Sequence, residues 1–322
     1  MSTDIEKFLS SGKYKYKINE PLSKHTTLGI GGNADFFVEV ETEEKLCDLL
    51  KFINKNKIKF FILGGGTNTL FSDDGFKGII IKLLQSNNFN KIGILDDWKI
   101  VINNKDTELP YSEELAMTIE IISVAAAASL QAVVKQTAEQ GLSGFEYLAG
   151  IPGTVGGAIF GNAGVKEWSI SDNLIKIEIV DFDGNKKILE KKNINFEYRK
   201  SNLSNCIITR AFFRLKKTDK NDILNVVLHE LEKRKLSQPI GVKSAGCVFK
   251  NPQNDSAGRL IDSLSLKNYN IGEIEISAKH ANFFVNKSNG TAKDMLELIS
   301  FVKKKVFEKY NIRLETEIRM VK

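Results

Sequence analysis

Two glycine-rich stretches have residue types and spacing suited to chemistry. The first is Leu63-Gly64-Gly65-Gly66-Thr67-Asn68-Thr69, directly after a short apolar run. Successive glycines let backbone N–H groups crowd around a phosphate. The pattern is not G-x-G-x-x-G and no Walker lysine follows, which excludes those two phosphate loops. A tight structural turn would use the same glycines. The second stretch runs from Gly141 to Gly164 and interrupts its glycines with Pro152. That composition rules out a long regular element. Small residues alternating with Ile151, Val155 and Ile159 suit a backbone pressed against a planar or anionic ligand, or a closely packed buried hairpin. Two such clusters, each beside a strand pattern, favour a dinucleotide with a pyrophosphate.

The nucleophile and metal inventory is short. Cys47 falls among the apolar positions of a helical pattern and Cys206 beside a strand pattern; both read as core. Cys247 follows Gly246 in SAGCVFKNP (Ser244 to Pro252) and is suited either to an exposed, functional thiol at a turn or to a structural one. His25, His229 and His280 are far apart, and His229 sits in a helical pattern that reads as surface. No histidine or cysteine spacing fits a metal site, so no metal is expected.

The elements that must position these groups are legible from periodicity. Phe36–Val40 reads as a strand, Thr42 as the cap of a helix over Glu43–Asn54, and Phe60–Leu63 and Gly78–Leu84 as further strands, a βαβ-like opening. Residues 85–115, with Trp98 and Pro110, suggest short strands or an irregular excursion. A strand over Ile119–Ala126 and a helix over Ser129–Glu139, stopped by Gly141, come next. Asp183-Gly184 between Ile175–Asp181 and Lys186–Glu190 predicts a hairpin, and Ile207–Leu215 another strand. The polar run Lys216–Asp222 precedes a helix over Ile223–Lys235. A strand over Ala281–Val285, a helix over Ala292–Lys309 and a last strand over Ile312–Val321 complete the chain. Strands alternate with helices only in part, so the expected class is α+β rather than doubly wound.

Composition sets the outer bounds. With 322 residues, 42% hydrophobic and 27% charged, the chain can build two or three globular domains. A net charge of +6 is mild, and Lys303-Lys304-Lys305 follows an apolar helical pattern as a solvated face. Nucleic-acid binding is not expected, whereas anionic small molecules suit a mildly basic surface. The first residues lack the apolar core of a signal peptide, and no apolar run is long enough to span a membrane. A cytoplasmic protein is expected.

Taken in order, HTTLGIGG (His25 to Gly32), LGGGTNTL (Leu63 to Leu70), GFEYLAGIPGTVGGAIFGNAG (Gly144 to Gly164), FEYRKS (Phe196 to Ser201), SAGCVFKNP, SAGRLID (Ser256 to Asp262), KHANFFVN (Lys279 to Asn286) and LETEIR (Leu314 to Arg319) resemble the motifs of the UDP-N-acetylenolpyruvoylglucosamine reductase family. The resemblance runs from about Leu22 to Val321. It implies a two-part FAD-binding unit of the vanillyl-alcohol-oxidase type, over residues 1–84 and 85–218, and an α+β substrate-binding domain over 219–322, whose last strand is able to return to the FAD unit. The 47 residues between Arg199 and Cys247 resemble the family branch without an extra tyrosine-bearing loop.

The implied chemistry is a pair of half-reactions. NADPH gives a hydride to non-covalent FAD; UDP-N-acetylglucosamine enolpyruvate then takes a hydride at C3 and a proton at C2. By the resemblance, Arg199 takes the place of a catalytic arginine whose planar cation holds a carboxylate bidentately. Glu317 takes the place of a catalytic glutamate that shares a proton with the carboxylate end. Cys247 stands where many members carry serine, as the proton donor; a thiol with an ordinary pKa of about 8.5 is mostly protonated at neutral pH and can donate.

Leu63, Gly64, Gly65, Gly66, Thr67, Asn68 and Thr69, with Gly150, Ile151, Pro152, Gly153, Gly156, Gly157, Ala158, Asn162, Ala163 and Gly164, are implied as FAD contacts. Tyr198, Lys250, Asn251 and His280 fall at substrate-side positions, and Lys243 and Arg259 are looser candidates for pyrophosphate or uridine. VKEW (Val165 to Trp168) departs from the small residues usual there. A flavin oxidase of the same fold would share the first two parts but not SAGCVFKNP, KHANFFVN and LETEIR together. A monomer acting on small molecules is expected.

Overall fold

The computed structural model describes residues 2–84, 119–166 and 168–322; the excursion expected over 85–115 lies outside the described residues. In chain order α1 (Ser2–Ser11) and β1 (Lys15–Pro21) lead to β2 (Asn33–Val40), α2 (Glu43–Lys55), β3 (Phe60–Ile62), β4 (Thr69–Phe71) and β5 (Phe76–Leu83). Then come β6 (Ile119–Ala125), α3 (Leu130–Glu139), β7 (Leu142–Ser143), α4 (Val155–Phe160), β8 (Leu174–Asp181), β9 (Lys186–Glu190), β10 (Phe196–Glu197), β11 (Lys200–Ser201), β12 (Cys206–Lys217) and α5 (Lys220–Ser237). The chain closes with β13 (Lys243–Cys247), α6 (Ala257–Asp262), β14 (Asn270–Ile271), β15 (Ile274–Ile276), β16 (Phe283–Asn286), α7 (Ala292–Tyr310) and β17 (Arg319–Val321). Helices and mainly antiparallel strands mix as the expected α+β class requires.

Contacts divide the chain into two compact units. One comprises Met1–Glu39, Ile58–Lys82 and Lys233–Lys322; the other comprises Val40–Lys57 and Leu83–Glu232.

The first unit holds a sheet in the order β1-β2-β5-β3, a parallel pair β4–β17, and a sheet in the order β13-β16-β15-β14. α1, unforeseen in a polar N-terminus, buries Ile5 and Leu9, one helical turn apart. Phe37, Leu63, Phe71, Phe76 and Val321 pack into one core. α7 buries Met295, Leu298, Ile299, Val302 and Val306 in another, shared with Val248, Phe249 and Ile318. Thr291 and Asp294 form a capping box at the start of α7. The Asp73 carboxylate, from the loop after β4, accepts the N–H groups of Ala292 (2.7 Å) and Lys293 (3.0 Å) there. Negative charge is favourable at that helix end. Among the described residues no helix is long and apolar enough to cross a membrane.

The second unit is built on the order β6-β12-β8-β9, with β7 also on β12. Val124, Ile177, Ile179, Ala211, Phe213 and Leu215 turn inward against α3 and the glycine-rich segment. Gly184, at φ +81, closes the β8–β9 hairpin as the Asp-Gly pair requires. Thr42 caps α2 through its Oγ1, which accepts the Lys45 N–H at 3.2 Å. Cys47 is buried in α2, and burial raises its thiol pKa; burial pushes the Cys206 thiol up to about 11. Both thiols read as packing, as their sequence context implies.

Candidate active site

Within the first unit, the first glycine cluster begins where the sheet stops. β3 runs parallel to β5, and Leu63 donates the last bond of that run to the Ile81 carbonyl at 2.9 Å. The chain then turns away. Gly66 is left-handed at φ +64, and a Cβ added there would run into the His25 carbonyl oxygen. Thr27, in the HTTLGIGG segment, donates its N–H to the Gly66 carbonyl at 3.1 Å. The N–H groups of Gly64, Gly65 and Gly66 have no acceptor among the described residues. A run of unspent amides in a turn is an anion nest, so this cluster fits the pyrophosphate of FAD. Gly66→Ala is expected to cost about 2 kcal/mol or more, because the left-handed conformation alone costs a non-glycine residue about 1–2 kcal/mol. Thermal melting of the apo protein and a flavin-fluorescence titration check it; wild-type values in both would refute the strain.

Asn68 carries the cluster to the chain's end. Its Nδ2 donates to the Glu317 carbonyl at 3.1 Å, and its own carbonyl accepts the Arg319 N–H at 3.1 Å. β17 continues parallel to β4, register Arg319 to Thr69. The strand expected over Ile312–Val321 is therefore regular only at Arg319–Val321. The preceding residues instead lie against the Cys247 segment. Glu317 donates its N–H to Val248 at 2.8 Å, Lys250 donates to Glu315 at 2.9 Å, and Phe249 bridges Thr316. Main-chain bonds thus join LGGGTN, LETEIR and SAGCVFKNP.

Cys247 closes β13 opposite Phe283 of β16, after an irregularity in register between Ser244 and Cys247. Gly246 at φ +77 makes that bulge possible. The turn suspected before Cys247 is thus a break within a strand. Bulges re-aim the side chain that follows.

Asn282 is a residue that sequence reasoning missed. It is buried, its Oδ1 accepts the Phe249 N–H (2.9 Å), and its Nδ2 donates to the Phe249 carbonyl (2.8 Å). It clamps the chain just beyond Cys247. An asparagine among the apolar residues of ANFFV was the available signal.

The substrate-side candidates have varied surroundings. Lys250 Nζ lies 2.6 Å from Glu315 Oε1. Asn251 Oδ1 accepts the Ala257 N–H at 3.1 Å, at the start of α6. Arg259 is exposed and ion-paired with Asp255. Lys243 Nζ reaches the Ser288 carbonyl at 3.3 Å.

His280 is half-buried, and burial lowers its pKa. Its Nδ1 accepts the Asn282 N–H at 3.2 Å, so the neutral ring carries its proton on Nε2. An unfolded histidine binds its proton near pH 6.5, so this pair of states loses stability as pH falls below about 6.5 and levels off below the folded value. His280→Gln is expected to remove that portion of the decline, read as melting temperature against pH; an unchanged profile would place the effect elsewhere.

Within the second unit, Arg199 lies in the two-residue turn between β10 and β11, at φ +56. Arginine rarely adopts this conformation. Its Nη2 donates to the Gly164 carbonyl at 2.7 Å, its Nη1 to the Asn162 carbonyl at 3.5 Å, and its guanidinium lies over the Tyr198 ring, 5.1 Å from the centroid.

The second glycine cluster is internally bonded to a large extent. The amides of Gly150, Ile151, Gly156, Gly157, Ala158, Asn162 and Ala163 all donate within the unit. What it presents is small-residue surface and the carbonyls that hold Arg199. Gly156 is needed for close approach, since a Cβ there would lie 2.8 Å from the Ala126 Cβ. Val165 donates its N–H to the Trp168 carbonyl at 2.8 Å.

The chain is similar to known proteins along its length. Residues 34–189 match a family model described as an FAD binding domain, and 238–321 match one described as UDP-N-acetylenolpyruvoylglucosamine reductase, C-terminal domain. The chain is 37% identical to the UDP-N-acetylenolpyruvoylglucosamine reductase of Fervidobacterium nodosum, covering 100% of this chain and 98% of that one. It is 34% identical to the one from Caldanaerobacter subterraneus subsp. tengcongensis over 98% and 96%. The crystal structure of the reductase from Thermus caldophilus superposes with a TM-score of 0.75 at 33% identity, covering 96% of this chain and 99% of that one. An FAD-binding domain, the reductase C-terminal domain and full-length similarity at this level mean that the chain belongs to the UDP-N-acetylenolpyruvoylglucosamine reductase family of FAD-dependent oxidoreductases.

Proposed function

We propose that this chain uses NADPH and FAD to reduce UDP-N-acetylglucosamine enolpyruvate to UDP-N-acetylmuramate, a step of peptidoglycan precursor synthesis. The observation that carries the reading is the main-chain linkage of the amide-lined glycine cluster, the Glu317 segment and the Cys247 segment. FAD, when bound, supplies a hydride carrier between NADPH and the enolpyruvyl C3.

The chain's own residues do the rest. The amides of Gly64, Gly65 and Gly66 would hold the pyrophosphate. Arg199 is assigned to the substrate carboxylate, where a fixed cation lowers the energy of the negative charge that builds as C3 takes its hydride. Glu317 is assigned to the carboxylate end through a shared proton. Cys247 is assigned to deliver the proton to C2. His280, a neutral donor through Nε2, suits an uncharged oxygen of the substrate better than a second positive charge would. The protein is proposed to act as a cytoplasmic monomer.

The test is to purify the protein, record its visible spectrum, and follow NADPH oxidation with and without the enolpyruvyl sugar. A yellow protein with sugar-dependent oxidation is expected, and acid precipitation should leave the flavin in the supernatant. A yellow protein indifferent to the sugar would favour a flavin oxidase of the same fold. A protein that takes up no FAD would refute the reading of both glycine clusters.

A further inference from the structure

We propose that Asn162 is a positioning residue for Arg199, fastening the turn that carries the guanidinium to the glycine-rich segment. Four hydrogen bonds join the two. Asn162 Nδ2 donates to the Glu197 carbonyl at 3.0 Å, two residues before Arg199. The Asn162 and Gly164 carbonyls accept from the guanidinium, and Ser201 Oγ donates to the Phe160 carbonyl at 2.7 Å. The side chain of Asn162 therefore holds the backbone of the turn while its main chain holds the guanidinium. Arg199 needs such a fastening, because its left-handed φ of +56 is unfavourable for arginine and persists only where neighbours enforce it.

Asn162 itself is poorly explained by stability. It too is left-handed, at φ +44, where glycine would serve without strain. Its Oδ1 is buried with no hydrogen-bond partner among the described residues, a costly condition for an amide oxygen. A residue that leaves a buried acceptor unpaired is best explained by what its other atoms do. Here those atoms fix the hairpin of Arg199. This role rests on reading Arg199 as the group that holds the enolpyruvyl carboxylate.

The test is a double-mutant cycle between Asn162→Gly and Arg199→Ala in the FAD-loaded enzyme, with the two half-reactions followed separately by flavin absorbance. Glycine keeps the backbone conformation and removes only the side chain. Asn162→Gly is expected to lower kcat/KM for the enolpyruvyl sugar about 10–100-fold, well beyond its effect on flavin reduction by NADPH. Its effect should largely vanish in the Arg199→Ala background, because the two act through one group. Full additivity would overturn the proposal, as would a wild-type enolpyruvyl half-reaction in Asn162→Gly while Arg199→Ala is slow. If Arg199→Ala is itself unimpaired, the reading of Arg199 fails, visibly and separately. Asn162→Asp, which keeps the shape and loses the Nδ2 donor, is read in the same cycle should the glycine variant not fold. A fluorescence titration of FAD accompanies both; loss of FAD affinity in both variants would assign Asn162 to the flavin and overturn the positioning role.

Discussion

Arg199→Lys is expected to slow the enolpyruvyl half-reaction by roughly 10²–10³, the loss seen when one fixed stabiliser of developing negative charge is removed, about 3–4 kcal/mol. The charge survives the change, so the loss reports geometry. Arginine sits with one nitrogen on the Gly164 carbonyl at 2.7 Å and another towards the Asn162 carbonyl at 3.5 Å. That anchorage orients a planar fork, and a carboxylate is matched by a fork rather than by a point charge. A lysine ammonium can satisfy one carbonyl, but it cannot also present two parallel N–H groups. Flavin reduction by NADPH should lose far less, since no carboxylate develops charge in that step. Stopped-flow absorbance separates the two. A Lys variant within threefold of wild type in the enolpyruvyl step would remove Arg199 from that role.

Cys247→Ala should cost about 10²–10⁴ in the same half-reaction, the range for losing a positioned proton donor. Cys247→Ser should recover most of it, since a hydroxyl can donate from the same place. Bulge, strand and clamp argue that the place is built: Gly246 turns at φ +77, Cys247 pairs with Phe283, and Asn282 holds Phe249 by both N–H and carbonyl. Treatment with hydrogen peroxide provides a second readout. A half-exposed thiol at the reacting centre would be oxidised with loss of turnover, and the serine variant would resist. Full turnover in the alanine variant would refute the assignment.

Local structure was legible because it is written in short periods. The helix over Glu43–Lys55 follows from Leu46, Leu49, Leu50 and Ile53, and its cap from Thr42. The β8–β9 hairpin follows from Asp183-Gly184, and α7 from its apolar spacing. Ends shifted where pairing rather than propensity set them: the strand expected over Ala281–Val285 is Phe283–Asn286, paired with both β13 and β15. The last strand shortened most. Residues before Arg319 have the apolar alternation of a strand, but they bond instead to the irregular chain after Cys247.

The sequence by itself determined the family, the FAD and NADPH chemistry, the α+β class, and the two glycine clusters as ligand-facing candidates. Order and composition suffice for that, because glycine content, capping residues and apolar spacing act within a few residues of themselves. Tertiary structure alone decided that the amides of Gly64, Gly65 and Gly66 meet no acceptor among the described residues, that Asn68 bonds to the peptide of Glu317 across 249 residues, and that Asn282 and Asn162 hold the chain around Cys247 and Arg199. Each of these bonds ties an asparagine side chain to a main-chain group that every residue carries, so the residue type at the far end announces nothing. Their partners are chosen by the packing of segments remote in sequence, where loop closure and burial outweigh local preference.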